Sequence, residues 1–425
     1  MRFLLCVLAL SIASAAAEDK VELYKTDIEF FLDAFEEKAG HFFENKGIEW
    51  GEVRTWAHGE LAAVKTDADH LRLCARLVAR LRDGHARLRG ARVEWPDDSK
   101  GRKWRFQKIG MVLQDKEALV TLVDPSLEIP IGSEIHTIDG DPAHQWLAAK
   151  ADEWSDKRGY STRRHALAAA AKMGLSGWEG TSFKVTFTRP DGTKGEREVD
   201  RSLGEHSPVR LDTAKQLGKL SPFGRNSFGR TKKGNAYIQL RDVPGDLPDQ
   251  LDKVLPAFAD APGLILDMRG NRGGGCDHYA VFARFIEKGE FWGKIEGVGQ
   301  APYPGPMVVI VDAMVASAGE TLSGQFSEDQ RALMIGPSPT AGMSSSKIKL
   351  EAPSKMCSAY FSVRSNKGRF NRYKGIEGIG VIPHEIVPYT AEDLAAGIDT
   401  QIRRAEELLA KRMWLEHIDY EPPVK

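Results

Sequence analysis

Apolar residues recur at different spacings along this chain, and each spacing predicts a different element. Between residues 26 and 84 they recur every three or four positions, which predicts two amphipathic helices. One face of the first is made of Ile28, Phe31, Leu32, Phe35, Ala39 and Phe42. One face of the second is made of Leu71, Cys74, Leu77, Val78 and Leu81. Gly84 suits a left-handed cap at the end of the second helix. Residues 18–103 are therefore predicted to form an N-terminal helical region, with His85 just past a helix end.

Short apolar runs replace the helical spacing over the next hundred residues. Residues 118–123 and 183–188 predict β-strands, and Pro190–Thr193 predicts the turn that follows the second of them. Residues 104–201 are accordingly predicted to form a small β-rich module. Residues 202–233 are polar and show little periodicity, so we expect them to link this module to the next.

Buried-strand runs then alternate with helical stretches over residues 234–414. The strand runs are Ala236–Leu240, Leu264–Leu266, Met307–Val311 and Leu333–Ile335. The helical stretches are Asp246–Phe258, His278–Ile286 and Gly319–Phe326. This alternation predicts an α/β core with parallel strands. A helix from Thr390 to about Trp414 completes the core, and residues 415–425 form a tail.

The start of the chain has the pattern of a secretory signal peptide. Arg2 supplies a positive charge, Phe3–Ile12 is a short apolar run, and small residues follow up to Ala17. We assign residues 1–17 to the signal peptide and expect cleavage after Ala15 or Ala17. A membrane anchor is disfavoured because the apolar run is too short for a bilayer core of about 30 Å. The sequence thus predicts an exported protein, periplasmic or secreted, without stable membrane insertion.

Charge and cysteine content narrow the choice of partners. The chain has 59 Lys and Arg against 60 Asp and Glu, and this balance gives no reason to expect nucleic acid as a partner. Three cysteines follow the predicted signal peptide, an odd number for an oxidising compartment. Cys276–Cys357 is the one pairing we consider, because Cys74 falls on a buried helical face, and the sequence leaves it open. No zinc-ligand spacing is present, so no metal is predicted.

A glycine-rich segment follows one of the predicted buried strands. Residues 263–275 read GLILDMRGNRGGG, in which a strand runs into three consecutive glycines before a helix. Glycines let the backbone turn sharply and direct N–H groups at a negative charge. The alternatives are a plain strand–helix turn or a phosphate-binding loop. Phosphate binding is disfavoured because neither Gly-Lys-Ser/Thr nor the G-x-G-x-x-G spacing occurs.

A second strand–turn–helix segment places a serine at its junction. Residues 306–320 read PMVVIVDAMVASAGE, with Ser317 where the predicted helix begins. A serine in this position is commonly an N-cap. It can also be a nucleophile beside backbone N–H groups that stabilise an oxyanion. The segment alone does not decide between these two roles.

Together the two segments resemble the C-terminal processing (tail-specific) peptidases and their tricorn-like and chlamydial-protease-like relatives. The Asp-x-Arg-x-Asn-x-Gly-Gly pattern of these peptidases is matched by Asp267, Arg269, Asn271, Gly273 and Gly274. Their Ser-Ala-x-Glu pattern is matched by Ser317, Ala318 and Glu320. Residues 132–142 resemble the core of a PDZ domain, with Ser133 where that family usually has Asp. The resemblance implies an α/β core of the ClpP/crotonase type, an N-terminal helical region and an inserted β-rich PDZ-like domain that captures extended peptide.

One departure from the family pattern bears on the mechanism. Many tail-specific peptidases use a Ser–Lys dyad, but Gly342 stands at the position of that lysine. Lys347 and Lys349 lie nearby, and neither fits without an insertion. The tricorn-like branch instead uses Ser, His and Glu, and its pattern points to His85 and to Glu377, the latter 60 residues after Ser317.

The resemblance therefore implies a serine endopeptidase that hydrolyses polypeptides through an acyl-enzyme, and the predicted signal peptide implies that it is exported. Ser317 is the predicted nucleophile, His85 the general base and acid, and Glu377 the residue that orients His85. The predicted oxyanion donors are the Ala318 N–H together with a Gly273 or Gly274 N–H. No metal or organic cofactor is predicted, and free C-termini are the candidate ligands of the PDZ-like domain.

Several alternatives stay open at this point. His278 is a second candidate base. His85 can instead be a structural histidine that follows a helix, and Glu377 can be a solvated loop carboxylate. The chain can also be a non-catalytic binding protein that retains a peptidase fold. A crotonase-like acyl-CoA enzyme is disfavoured by the predicted export and by the PDZ-like insertion.

Overall fold

The computed structural model describes residues 2–95, 101–202, 207–343, 345–364 and 369–411, with side chains described from residue 20 onward. The helices are α1 (Arg2–Ala39), α2 (Phe43–Lys46), α3 (Trp50–Leu61), α4 (Asp67–Ala79), α5 (Ala143–Lys157), α6 (Arg163–Met173), α7 (Leu247–Val254), α8 (His278–Ala283), α9 (Ala318–Glu328), α10 (Ala391–Ala395) and α11 (Thr400–Ala410). Short 3-10 helices cover Gly40–Phe42, Pro125–Leu127 and Leu255–Phe258. Within the described residues no helix is both long and apolar enough to cross a membrane. The predicted tail, residues 415–425, lies outside the described part.

The strands, numbered in chain order, fall into three larger sheets and two short pairs. They are β1 (Arg87–Arg89), β2 (Trp104–Arg105), β3 (Ile109–Gln114), β4 (Glu117–Val123), β5 (Glu134–Ile138), β6 (Asp141–Pro142), β7 (Gly177–Trp178), β8 (Ser182–Thr188), β9 (Lys194–Asp200), β10 (Val209–Arg210), β11 (Ser221–Phe223), β12 (Asn226–Arg230), β13 (Ala236–Gln239), β14 (Leu264–Asp267), β15 (Phe291–Trp292), β16 (Ile295–Glu296), β17 (Met307–Ile310), β18 (Leu333–Gly336), β19 (Ser346–Glu351), β20 (Ser358–Arg364) and β21 (Glu385–Ile386).

The chain divides into two compact units. The first unit comprises residues 1–100, 153–161 and 345–365, and the second unit comprises 101–152, 162–344 and 366–425. Residues 345–364 were predicted to belong to the α/β core. They instead form the β19–β20 hairpin of the first unit, where β20 pairs antiparallel with β1. This pairing joins segments about 270 residues apart.

In the first unit the helices bury the apolar faces that the sequence predicts. Phe31, Phe35 and Leu77 belong to one core, which also receives Phe361 from β20. Helix α4 begins with a capping box between Thr66 and Asp69. It ends at Ala79, five residues before the predicted glycine cap, so Gly84 is not the helix cap.

The cysteines do not form the pairing considered from the sequence. All three described cysteines have free thiols. Cys74 and Cys357 are both buried in the first-unit core, and the Cys357 thiol lies against that of Cys74. Cys276 belongs to the second unit. The neighbour of Cys357 is therefore Cys74, and the Cys276–Cys357 bridge is absent.

The main sheet of the second unit confirms the predicted α/β core with parallel strands. Its order is β11-β12-β13-β14-β17-β18-β21, and the strands from β13 to β21 run parallel. Side chains alternate between two cores: Leu264 and Leu266 face α7, α8 and α9, whereas Ile265 faces α11. Burial on both faces explains why these strands are continuous apolar runs.

A second sheet in this unit accounts for the predicted β-rich module. Its order is β10-β4-β5-β8-β9, with β3 on β4 and β6 on β5, and α5 and α6 interrupt it along the chain. Residues 202–233, predicted as a linker, contain β10 of this sheet and β11 and β12 of the main sheet. The alternation there is too short to be read from the sequence.

The predicted C-terminal helix is divided into α10 and α11. Thr390 caps α10 by accepting from the Asp393 N–H, as its position in the sequence suggests. Gly397 then adopts a φ of +67°, and α11 restarts at an N-cap formed by Asp399. The break matters because Asp399 binds an arginine of the glycine-rich loop, described below.

Candidate active site

Ser317 lies at the junction of β17 and α9 in a strained backbone conformation. Its φ is +59° and its ψ is −128°, and its side chain makes no capping hydrogen bond. A non-glycine residue in such a region costs about 1–3 kcal/mol and persists where the surroundings enforce it. The Ser317 N–H donates to the Met343 carbonyl at 3.1 Å. The hydroxyl is therefore not used as an N-cap, and the turn presents it beside the start of a helix.

The glycine-rich loop after β14 packs directly on this serine. A Cβ on Gly273 would lie 2.7 Å from Ser317 Cβ and 2.8 Å from the Ala318 nitrogen. A Cβ on Gly274 would lie 2.1 Å from the Val243 carbonyl oxygen. Both glycines have positive φ, +85° and +144°. Only glycine fits at either position, because this approach leaves no room for a side chain.

Asn271 holds the glycine loop against the serine turn. Its Oδ1 accepts from the Gly273 N–H at 2.7 Å, and its Nδ2 donates to the Leu240 carbonyl at 2.8 Å. Its own carbonyl accepts from the Ala316 N–H at 2.9 Å. In the sequence Asn271 is recognisable only as part of a motif, and the motif does not predict this role. The Gly273 N–H is thus already engaged.

A buried ionic network supports the base of the loop. Arg269 donates to Asp267 at 2.9 Å and to Asp399, at the start of α11, at 2.8 Å. Arg241 also contacts Asp267, which is fully buried. Burial alone would raise the pKa of Asp267, but the two guanidinium groups hold that pKa well below its usual range. Asp267 is therefore ionised, and Arg269, which binds both Asp267 and Asp399, ties β14 to the start of α11.

Glu320, in the first turn of α9, shapes the loop that faces the serine. Its buried carboxylate accepts from Thr340 Oγ1 at 2.5 Å and from the Gly342 and Met343 N–H groups at 2.7 Å. Burial raises the pKa of Glu320 to about 7, opposed by these three hydrogen bonds and reinforced by the negative charge of Glu377. The same loop supplies the Met343 carbonyl that accepts from Ser317.

Gly342, which stands at the family's lysine position, has no room for a side chain. Its φ is +80°, and a Cβ would lie 2.7 Å from Thr162 Cγ2. Its carbonyl accepts from the Gly378 N–H at 2.8 Å. Glu377 precedes that residue and is 1% exposed, so it is not a solvated loop carboxylate.

The start of α6 fastens this loop from the other side. Thr162 Oγ1 donates to the Ala341 carbonyl at 2.9 Å, and Arg164 Nε donates to the Thr340 carbonyl at 2.9 Å. Arg164 also donates to the Ile379 carbonyl. Helix α6 therefore supports the loops that carry Glu377 and face Ser317. Nothing in the sequence distinguishes Thr162 and Arg164 from ordinary residues at the start of a helix.

His85 belongs to the first unit and is placed there by a buried carboxylate. Asp83 Oδ1 accepts from the His85 N–H at 2.8 Å and lies 3.8 Å from Nδ1 of the ring. Asp83 Oδ2 accepts from the Ser362 N–H of β20 at 2.7 Å. Burial lowers the pKa of His85 to about 4; Asp83 opposes this shift, and Lys347 adds to it. The imidazole is therefore neutral at pH 7, as a general base requires.

The proposed site residues are divided between the two units. Ser317, Ala318, Gly273, Gly274 and Glu377 lie in the second unit, and His85 lies in the first. Lys347 is also in the first unit, on β19 opposite Ser362.

His278 begins α8, where burial lowers its pKa. Among the described residues no group of three or more His, Cys, Asp or Glu side chains is placed to hold a metal ion.

The strained serine, the glycine loop packed on it and the surrounding α/β sheet are features of a serine-type peptidase. Residues 234–387 match peptidase family S41, and the chain thus carries a peptidase family S41 domain. A carboxyl-terminal-processing protease of Synechocystis sp. is 25% identical over 245 residues, 54% of this chain and 56% of that protein. One from Picosynechococcus sp. is 25% identical over 300 residues, 67% and 68% of the two chains.

The solved structure of mature CPAF has a similar fold. It superposes with a TM-score of 0.66 at 14% identity and covers 92% of this chain and 97% of that one. The matched stretch spans about half the length of the Synechocystis protein. Sequence and structure therefore agree on an S41 peptidase fold of the mixed α/β class.

Proposed function

We propose that this protein is an exported serine endopeptidase that cleaves polypeptides through a Ser317–His85–Glu377 triad. The observation that carries the proposal is the strained Ser317 turn. Gly273 packs so closely on this turn that any side chain at position 273 would overlap the serine. A hydroxyl in such a turn is exposed to a substrate carbonyl and flanked by backbone N–H groups. No cofactor takes part in this mechanism.

The proposed reaction follows the chemistry of an activated serine. Neutral His85 removes the Ser317 proton as the hydroxyl oxygen attacks the peptide carbonyl, and the resulting imidazolium protonates the leaving amine. Water then enters, gives a proton to His85 and attacks the acyl carbonyl. His85 returns that proton to Ser317 Oγ as the bond between this oxygen and the acyl carbon breaks, which releases the carboxylic acid and restores the hydroxyl. Buried Glu377 orients the ring and stabilises its charged form.

For the oxyanion we propose the Ala318 and Gly274 N–H groups. The sequence offers Gly273 or Gly274, and the Gly273 N–H already donates to Asn271. Gly273 therefore serves as the close-packing residue. Each oxyanion donor in such a site typically contributes about 3–4 kcal/mol to the stabilisation of the transition state.

The organisation around this site is also part of the proposal. We assign residues 1–17 to a signal peptide and 104–201 to a PDZ-like domain that binds extended peptide, with free C-termini as candidate ligands. The antiparallel sheet of residues 109–200 and helix α6 support this assignment. Strand addition would use an unpaired edge of that sheet.

Two substitutions separate the proposed triad from a lysine dyad. His85→Ala is expected to lower kcat for casein cleavage by about 10³-fold or more, because no other base replaces the imidazole. Lys347→Ala is expected to retain most of the activity, because it removes only a charge that lowers the His85 pKa. Initial rates of casein cleavage by the purified chain measure both effects.

The opposite pattern of activities would identify Lys347, and not His85, as the general base. Cleavage lost in Lys347→Ala and kept in His85→Ala would overturn the triad. If the folded wild-type protein neither cleaves casein nor reacts with a fluorophosphonate, the chain is a binding protein on a peptidase fold.

The pKa of Glu320 predicts opposite pH trends for activity and stability. Below pH 7 its carboxyl takes up a proton, loses an acceptor for the Thr340–Met343 loop, and weakens the support of Ser317. We expect kcat/KM to fall as pH falls through about 7, well above the pKa of His85 near 4. A raised carboxyl pKa stabilises the fold below its unfolded value of about 4.5, and this contribution is lost as pH rises through 7.

Glu320→Gln tests this assignment. An amide has only one oxygen, so its NH2 group must face either the Gly342 N–H or the Met343 N–H, which use different oxygens of Glu320. One donor is then left unsatisfied, and kcat should drop by about tenfold or more at every pH. The activity limb near pH 7 should disappear, and the melting temperature should vary less between pH 4.5 and 7. A variant that kept the wild-type limb would assign it to another group.

A further inference from the structure

Cys74 and Cys357 bring two thiols together in the core of the first unit, and the proposed mechanism uses neither of them. Both side chains are buried and belong to the core that also holds Phe35 and Phe361. The two thiols are joined by a hydrogen bond. They lie 283 residues apart in the sequence, one on α4 and the other directly before β20. The tertiary fold alone therefore makes them neighbours.

A chain of buried polar groups holds the turn that carries Cys357 against α4. Asp27, on α1, accepts from the Ser354 N–H at 2.9 Å and from Ser354 Oγ at 2.5 Å. Asp27 Oδ2 also lies 2.9 Å from His70 Nε2 on α4. Cys74 Sγ, one helical turn later, lies 3.6 Å from the same nitrogen. The turn and the helix are thus fastened together beside both thiols.

His70 is placed to accept the proton of the Cys74 thiol. Burial alone would raise the pKa of Asp27, but hydrogen bonds from His70 and Ser354 lower it, so this carboxylate is ionised and only accepts. The proton in their contact is therefore on His70 Nε2, and Nδ1 of the neutral ring is an acceptor. Nδ1 lies 3.8 Å from Cys74 Sγ. The hydrogen bond with Cys357 and burial both raise the pKa of Cys74, so the thiol stays protonated while the core is closed.

We infer that Cys74 and Cys357 form a disulfide when the chain folds in contact with an oxidising disulfide. That oxidant is a small molecule such as oxidised glutathione or a thiol–disulfide oxidoreductase. Cys74 gives its proton to His70, attacks one sulfur of the oxidant and expels the other sulfur, which takes up a proton and leaves as a thiol. Cys357 then attacks the Cys74 sulfur and expels the second thiol. Two protein thiols are thereby oxidised, and one external disulfide is reduced to two thiols.

The disulfide would fix the start of β20 to α4, in the unit that holds the proposed base. Ser362 of β20 donates its N–H to Asp83, which also accepts from the His85 N–H. A cross-link between distant parts of a chain restricts the unfolded state and so favours the folded one. The inference goes beyond the proposed function and does not depend on it, because neither readout below uses peptidase activity.

Peptide mapping without reduction tests the inference. The reduced chain is unfolded in urea and refolded by dilution into a mixture of reduced and oxidised glutathione, and a second sample is kept in that mixture without unfolding. Free thiols are then blocked with iodoacetamide. Mass spectrometry should find the Cys74 peptide linked to the Cys357 peptide in the refolded sample. Free Cys74 and Cys357 in both samples, or a bridge from either of them to Cys276, would overturn the inference.

The melting temperature of the same chain in its two redox states is the second readout. The bridged chain should melt about 5 °C or more above the chain reduced with a phosphine. Both samples have one sequence, so no cavity from a substitution enters this comparison. Cys74→Ala should lose the difference between oxidising and reducing buffer, and Cys276→Ala, in the second unit, should keep it. A difference that persists in Cys74→Ala would also overturn the inference.

Discussion

Replacing Ser317 with alanine is expected to abolish peptide hydrolysis and covalent labelling by a fluorophosphonate probe. The variant keeps the glycine loop and the Ala318 N–H but has no oxygen to form the acyl-enzyme. Loss of the nucleophile in a serine peptidase typically lowers kcat by about 10⁴–10⁶-fold. Labelling of the wild-type protein, followed by mass spectrometry of the modified peptide, should locate the probe on Ser317.

A second substitution at the same position tests the strain independently of activity. Ser317→Gly also lacks the hydroxyl, but glycine adopts a φ of +59° and a ψ of −128° without a Cβ penalty. We expect Ser317→Gly to unfold at a higher temperature than Ser317→Ala, by about 1 kcal/mol in the free energy of unfolding. Equal stability of the two variants would show that the turn is not strained.

Ser338→Ala is a suitable control for the labelling experiment. Ser338 is partly buried, and its Oγ donates to the carbonyl of the next residue. This variant should retain both hydrolysis and labelling. Probe attached to a residue other than Ser317, or hydrolysis that persists in Ser317→Ala, would contradict the proposed nucleophile.

Replacing Arg269 with methionine is expected to cause the largest loss of stability. The substitution leaves the carboxylates of Asp267 and Asp399 buried without their shared guanidinium, and it removes the hydrogen bonds to Tyr389 and Gln401. Breaking a buried ion pair from one side typically costs about 3–5 kcal/mol. Urea unfolding followed by circular dichroism should show this decrease in the free energy of unfolding.

An exposed ion pair provides the matched control. Arg163 pairs with Asp152 at the surface, where both side chains are about half exposed or more. Arg163→Met should lower the free energy of unfolding by less than about 1 kcal/mol. If the two arginine variants unfold at the same urea concentration, the buried network does not support the loop.

The local elements around the site are largely determined by the amino-acid sequence. Strands β14, β17 and β18 are continuous apolar runs because both faces of the sheet are covered, and this pattern is visible without any structure. Ser317 follows one of these runs and the glycines follow another. Since the carboxyl ends of parallel strands meet at one edge of a sheet, the nucleophile and the glycine loop are predicted to lie together.

Other features depend on partners that are distant along the chain. The sequence predicts that the segment of the β19–β20 hairpin belongs to the α/β core, and only its pairing with β1 shows that it does not. Asp83 gains its role only because Ser362 and His85 both donate to it. Periodicity reports whether a residue is buried, but it does not identify the residue that buries it.

The tertiary structure also determined which polar groups of the site already form hydrogen bonds and which are left to bind a substrate. Asn271 occupies the Gly273 N–H and thereby makes Gly274 the proposed oxyanion donor. Thr162 excludes a side chain at residue 342, the family's lysine position. The amino-acid sequence thus determined which residue types stand at the ends of buried strands, because burial leaves a local pattern. Only the tertiary structure decided which of their polar groups are occupied, because hydrogen bonds form between residues far apart in the chain.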